Sequence, residues 1–177
     1  MVGQSGVILC LDIASVVGWA HAARAAPPSY GSQRMGARGC DPEDCGIALE
    51  RWLREKLDEV DPEFFIFEAP LAGFGRGGAE VPYRLTGMAY LAAVTAKKRG
   101  VKIFKVEVST TCKFFTGKGR WPSSKDKKNA VIQKCREYGW SPADDNAGDA
   151  LAILSYAQSI IHKGAVERVE GPLFTAF

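Results

Sequence analysis

The sequence predicts an α/β protein with a mixed five-stranded sheet, a three-stranded antiparallel meander plus two parallel strands, flanked by helices. Three observations carry that prediction. The unbroken apolar run from Val7 to Leu11 reads as a central strand buried on both faces. The short connection at Ala14-Ser15-Val16 can join neighbouring strands only in antiparallel fashion. The later strand patterns are separated by helical ones, so those strands return through crossovers.

Taken in order, Val7 to Ile13 is the first strand and Val17 to Ala23 the second, with Gly18-Trp19-Ala20 read as a turn back into apolar sequence. Tyr30 to Met35 is a weaker third strand, after a break at Pro27-Pro28. From Pro42 onward Ile47, Leu49, Trp52, Leu53, Leu57 and Val60 recur at helical spacing. Asp41 is the expected N-cap, Pro42 stands at the first helical position, and Asp61-Pro62 ends the helix. Glu63 to Glu68 is a strand stopped by Pro70, and the glycine-rich stretch Leu71 to Glu80 is a loop. A helix follows from Val81 to Arg99, its small residues Gly87, Ala89, Ala92, Ala93 and Ala96 suited to close packing on the sheet or on a second subunit. Gly100 caps it, and Val101 to Val106 is the fifth strand. Ser109 to Phe115, with Ser109 as N-cap, is a short helix before the loop Thr116 to Ser124. Lys125 to Tyr138 is a basic amphipathic helix, Ala143 to His162 the last long one, and residues 163–177 a loose tail.

The 177 residues are expected to form one domain with a substantial core. No apolar run approaches the ~18 residues of a membrane span, and the amino end lacks a charged-then-apolar leader, which points to the cytosol. The five cysteines, Cys10, Cys40, Cys45, Cys112 and Cys135, include no C-x-x-C pair and are expected to be reduced thiols. The net charge of +3 hides an asymmetry: residues 97–137 carry 13 Lys or Arg against 3 Asp or Glu, leaving the remainder acidic. Such a distribution fits one face built for a polyanion and another that supplies acids.

Acids end two of the predicted strands, Asp12 the first and Glu68 the fourth. If those strands are adjacent and parallel, both carboxylates emerge at one edge of the sheet, where α/β sites tend to lie. Asp145 and Asp149 are four apart and so share one helix face, about 5–6 Å from each other. A buried carboxylate costs free energy unless a partner compensates it, and four together suit two divalent ions about 4 Å apart on a phosphodiester. An all-oxygen shell favours Mg²⁺, with Mn²⁺ as a substitute, whereas His21 and His162 alone give little material for a zinc site or a histidine triad. Each acid also has a plainer reading: Asp12 as a turn residue, Glu68 as a lysine partner, Asp144 or Asp145 as a helix N-terminal acid. Carboxylates this close are expected to resist ionising together before metal binds.

These residues resemble the RuvC Holliday-junction resolvases of the RNase H-like superfamily. The resemblance rests on LDIASVVGWA around Asp12, FIFEAP around Glu68, FTGKGRWPSSKDKKNAV, and DDNAGDALAIL around Asp149, and it spans Val7 to His162. Similarity to the bacteriophage forms is closer than to the housekeeping bacterial ones. It implies a homodimeric, Mg²⁺-dependent endonuclease that nicks opposed strands of a four-way junction and leaves 5′-phosphate and 3′-hydroxyl ends. Three departures stand out. Ala14 replaces the family's glycine, and Asn146 stands where the fourth acid is usual, so Asp145 or Asn146 supplies that ligand. Leu71 fills the place nearest the family's wedge aromatic, which leaves Phe74 as the first aromatic available.

The basic segment supplies the expected DNA contacts: Lys113, Lys118, Arg120, Lys125, Lys127 and Lys128, with Arg76 from the earlier loop. The resemblance places a lysine beside the scissile phosphate, and Lys128 fits that place best, with Lys125 next. Trp121 and Phe74 are aromatic enough to stack on unpaired bases, and Trp121 equally suits a loop anchor. The Gly117-Lys118-Gly119 turn lacks the spacing of a nucleotide-binding loop, so no nucleotide cofactor is expected. The alternatives are a relative that cuts flaps, branched DNA or RNA–DNA hybrids, and a catalytically silent junction-binding protein. A sugar-kinase-like ATPase ranks last, because the chain is short for two lobes.

Overall fold

A computed structural model describes residues 6–68, 80–162 and 175–176 of the chain. The elements run β1 (Ile8–Asp12), β2 (Val16–Ala22), β3 (Ser29–Arg34), α1 (Pro42–Val60), β4 (Phe64–Glu68), α2 (Glu80–Lys97), β5 (Lys102–Val106), α3 (Val108–Thr116), α4 (Ser124–Glu137), α5 (Asp145–Ile161) and β6 (Thr175–Ala176). The sheet order is β3-β2-β1-β4-β5-β6. The first three strands are an antiparallel meander, and β4 and β5 continue it in parallel with β1. The expected mixed sheet is thus present, lengthened by the two-residue β6, which pairs antiparallel with β5 out of a tail expected to be loose.

Alternation along the strands splits the core in two. Leu9, Leu11, Phe65 and Phe67 face α1 and α2, together with Leu49, Leu53 and Ala92. Ile8, Cys10 and Ile66 face α5, together with Phe115 of α3 and Val131 of α4. The central strands β1 and β4 are covered on both sides, and this is why they read as continuous apolar runs. Several boundaries differ from expectation, and three of them bear on the site. Gly18 lies inside β2, opposite Asp12, and the turn falls at Ile13 to Ser15. Here the apolar pattern resumes at Val16, so the glycine interrupts composition without interrupting the ladder. Helix α3 begins at Val108 with Glu107 at its N-cap position, not at Ser109. Helix α5 begins at Asp145, because the Asp144 carboxylate accepts the Ala147 N–H and closes the first turn there.

The cysteine expectation is also corrected. Cys40 and Cys45 form a disulfide with a Cα–Cα separation of 6.5 Å, leaving Cys10, Cys112 and Cys135 as buried free thiols. Gly36 and Gly39 adopt positive φ in the β3–α1 connection, and this folds Cys40 back against the first turn of α1. Two cysteines five residues apart in this way form a staple only once that reversal is in place.

Helix α2 distributes its small residues over two faces. Ala89, Ala92 and Ala96 are buried against the sheet, while Gly87 faces open space. Tyr83, Tyr90 and Val94 are exposed on the outward side, at 71%, 56% and 49%. Among the described residues, no helix is long and apolar enough to cross a membrane.

Candidate active site

The parallel pairing of β1 with β4 aligns Leu11 with Phe67, so Asp12 and Glu68 leave the sheet side by side at its carboxyl edge. Strand β1 is buried up to this last residue, and β4 is buried at Phe65, Ile66 and Phe67 before it opens at Glu68. Helix α5 packs across β1 and β2 and brings Asp145 and Asp149 to the same edge. The electrostatics record the convergence. Burial pushes the Asp12 carboxyl well above the usual range, and the charges of Glu68, Asp149 and Asp145 push it the same way. Burial raises Glu68 to about 7, against the attraction of Lys127 and with the repulsion of Asp149 added. Burial also raises Asp149, which feels Lys127, Lys128 and Asp145.

Asp145 behaves differently. It accepts a short hydrogen bond from Lys128, and that bond holds its carboxyl below the usual range while raising the lysine. Asp144, its neighbour, is structural: it caps α5 and accepts the Ser32 hydroxyl of β3. The Tyr30 hydroxyl accepts the Ser141 N–H at 2.8 Å, so β3 holds the approach to α5 at two points. Asn146 follows on the first turn, half-buried, with its backbone against Gly18.

Two participants were not singled out for these roles by the sequence. Lys127, grouped there with the DNA contacts, is the cation that acts on Asp12, Glu68 and Asp149 together. Thr111 of α3 is 2% exposed, and its hydroxyl lies 3.0 Å from Glu68 Oε1. The same hydroxyl lies 3.0 Å from the Val108 carbonyl, a partner within its own helix, so only the placement of α3 over the end of β4 brings it to Glu68.

The rest of the basic set lies in the open. Lys113, Lys118, Arg120 and Lys125 are exposed on α3, the following loop and the start of α4. Trp121 is an anchor within that loop: its Nε1–H donates to the Lys118 carbonyl at 3.2 Å, and the Lys118 ammonium sits 4.7 Å from its ring centre. Phe74 and Arg76 lie outside the described residues.

The donor set fits a hard divalent cation in chemistry. It consists of carboxylate oxygens and an amide, and among the described residues Lys127 and Lys128 offset the repulsion of its charges. The side chains as they stand are not a finished cage: among the described residues, no three His, Cys, Asp or Glu are grouped closely enough to hold a metal ion.

No family model matches the chain, and no curated protein matches it significantly. Solved structures do match. RuvC from Thermus thermophilus in complex with Holliday junction substrate superposes with a TM-score of 0.68 at 18% identity, covering 88% of this chain and 95% of that one. The chain has the RuvC fold. A second Thermus thermophilus RuvC structure gives 0.62 at 15% identity over 89% and 97% of the two chains. The yeast mitochondrial Holliday junction resolvase gives 0.60 at 10% identity over 90% and 81%. In this chain the RuvC fold sets β1, β4 and α5 side by side, and those three elements carry the four acids.

Proposed function

We propose that the chain is a divalent-metal-dependent endonuclease that resolves four-way DNA junctions, using Mg²⁺ with Mn²⁺ as a substitute. The observation that carries this reading is the meeting of β1, β4 and the start of α5, with Asp12, Glu68, Asp145 and Asp149 on them, at one sheet edge in a chain with the RuvC fold. Asp12, Glu68, Asp149 and either Asp145 or Asn146 would hold two ions. When bound, such ions supply a hydroxide nucleophile and stabilise the leaving oxygen, giving 5′-phosphate and 3′-hydroxyl ends.

The protein's own groups do the rest. The charge of Lys127 attracts the three raised acids and offsets part of their repulsion before substrate arrives. Lys128 is tied to Asp145, and its exposed end is free to turn to a phosphate once that carboxylate is otherwise engaged. Lys113, Lys118, Arg120 and Lys125 track the backbone of the DNA arms, a contact that weakens as salt rises. Two opposed cuts need two sites, and the outward face of α2, with Tyr83, Gly87, Tyr90 and Val94, is the surface for a second copy.

The test is a set of labelled substrates incubated with Mg²⁺: a four-way junction, a flap, an RNA–DNA hybrid and a linear duplex. Paired nicks across the junction, well above nicking of the other three, are expected. Equal or faster cutting of the hybrid or flap overturns the junction assignment, and no cutting of any substrate overturns the enzyme.

Thr111 gives a second expected outcome. With Oε1 of Glu68 held by the Thr111 hydroxyl, Oε2 is left for a cation. Thr111→Val keeps the shape and deletes that donor, so Mn²⁺ affinity should fall roughly 10-fold, in the range for lost outer-shell support. Thr111→Ser should restore it. Calorimetric titration of Mn²⁺ into the three proteins measures this, and equal affinity in the valine variant removes Thr111 from the site.

A further inference from the structure

Strand β2 meets the first turn of α5 at Gly18, and the approach is closer than any side chain allows. A methyl group built there would lie 1.9 Å from the Asn146 carbonyl oxygen, 2.4 Å from its carbon and 3.2 Å from the Ala147 nitrogen. All three are backbone atoms of the turn that carries Asp145, so no rotamer change relieves the overlap. Other crowded glycines differ. At Gly31 and Gly148 the added carbon would meet side chains, the Trp19 ring and the tip of Ile132, at 2.9 Å each. Nor does Gly18 serve a left-handed turn, because it is an ordinary strand residue, the ladder partner of Asp12.

We propose that Gly18 is a positioning residue that sets the distance between the Asp12–Glu68 end of the sheet and the Asp145–Asp149 turn of α5. The proposal rests on the reading that these acids share one metal site. The start of α5 is pressed toward the sheet by β3, through Tyr30 on Ser141 and Ser32 on Asp144. It is stopped by bare backbone at Gly18. Each contact would be uninformative alone, but together they fix the turn from two sides beside the strand that ends in Asp12. A methyl group at this point forces the turn outward by about 1 Å before the contact reaches the 3.0 Å floor for real Cβ atoms. A displacement of that size between groups that must meet one ion pair costs on the order of 10²-fold in rate.

The experiment compares Gly18→Ala with Leu53→Ala, whose side chain lies on α1, fully buried in the layer on the opposite side of the sheet. Both should melt below wild type. Only Gly18→Ala should lose Mn²⁺ affinity, by about 10-fold or more. It should also lose junction-cleavage kcat, on the order of 10²-fold with KM little changed. Its crystal structure should show the first turn of α5 displaced from Asp12. Gly18→Ala with wild-type Mn²⁺ affinity and kcat overturns the proposal, as does Leu53→Ala losing both to the same degree. A Gly18→Ala chain that does not fold also overturns it, because the strain would then fall on the whole sheet and not on one turn. If wild type itself takes up no Mn²⁺, the metal-site reading fails, and the Asp12–Asp145 separation in the two crystal structures decides Gly18 alone: widened, the spacer role stands; unchanged, it falls.

Discussion

Asp12→Asn is expected to reduce junction cleavage on the order of 10³-fold while leaving junction binding intact and making the metal-free protein harder to unfold at pH 8. The gain in stability and the loss in activity share one cause. Asp12 is buried beside Glu68, Asp149 and Asp145, and its carboxyl is pushed well above the usual range. A carboxyl whose folded pKa lies above its unfolded one binds its proton more tightly in the native state. It costs nothing at low pH, and the penalty accumulates as pH rises through the interval between the two values. Asparagine keeps the shape and removes that penalty, so the variant should gain stability over wild type at pH 8 and not at pH 4. Denaturant melts at both values, a gel-shift titration with an intact junction and a nicking assay in Mg²⁺ measure the three parts. A variant less stable than wild type at pH 8, or one that still nicks at full rate, would remove Asp12 from the cluster.

Metal-free stability should also fall between pH 4.5 and about 7 through Glu68, whose carboxyl is raised to about 7 mainly by burial. In that interval the native state holds more protons than the unfolded chain, so stability declines with rising pH and levels off above it. A displacement of this size corresponds to about 3 kcal/mol as a ceiling. Mg²⁺ binds the ionised form, so it should raise the melting temperature strongly at pH 8 and hardly at pH 5. Glu68→Gln should make the metal-free pH profile shallower, leaving the part due to Asp12 and Asp149, and abolish the response to Mg²⁺. Melting scans with and without Mg²⁺ across pH 5 to 8 check both statements. A response to Mg²⁺ equal at the two ends would mean that ion uptake does not compete with protons at these acids.

Much of this architecture was legible in the sequence, for definite physical reasons. Strands β1 and β4 announce themselves because burial on both faces demands unbroken apolar residues, and an acid at the end of such a run has few plain explanations. The helical spacing of Asp145 and Asp149 fixed their common face in advance. What was not legible depends on packing between elements. Nothing in Lys127-Lys128 says which lysine turns to the acids, because that depends on how α4 lies against α5. The same holds for Thr111, which matters only with α3 over the end of β4, and for Gly18, whose reason for being glycine is the backbone of a helix 128 residues later in the chain. The Cys40–Cys45 bridge is not legible from cysteine spacing, because the positive-φ glycines before it create the approach.

Diffraction from crystals grown with Mn²⁺, recorded where manganese scatters anomalously, tests the metal cluster most directly. Two anomalous peaks about 4 Å apart, bounded by Asp12, Glu68, Asp149 and Asp145 or Asn146, are the predicted result. Manganese bound elsewhere on the molecule with none among these residues would contradict it.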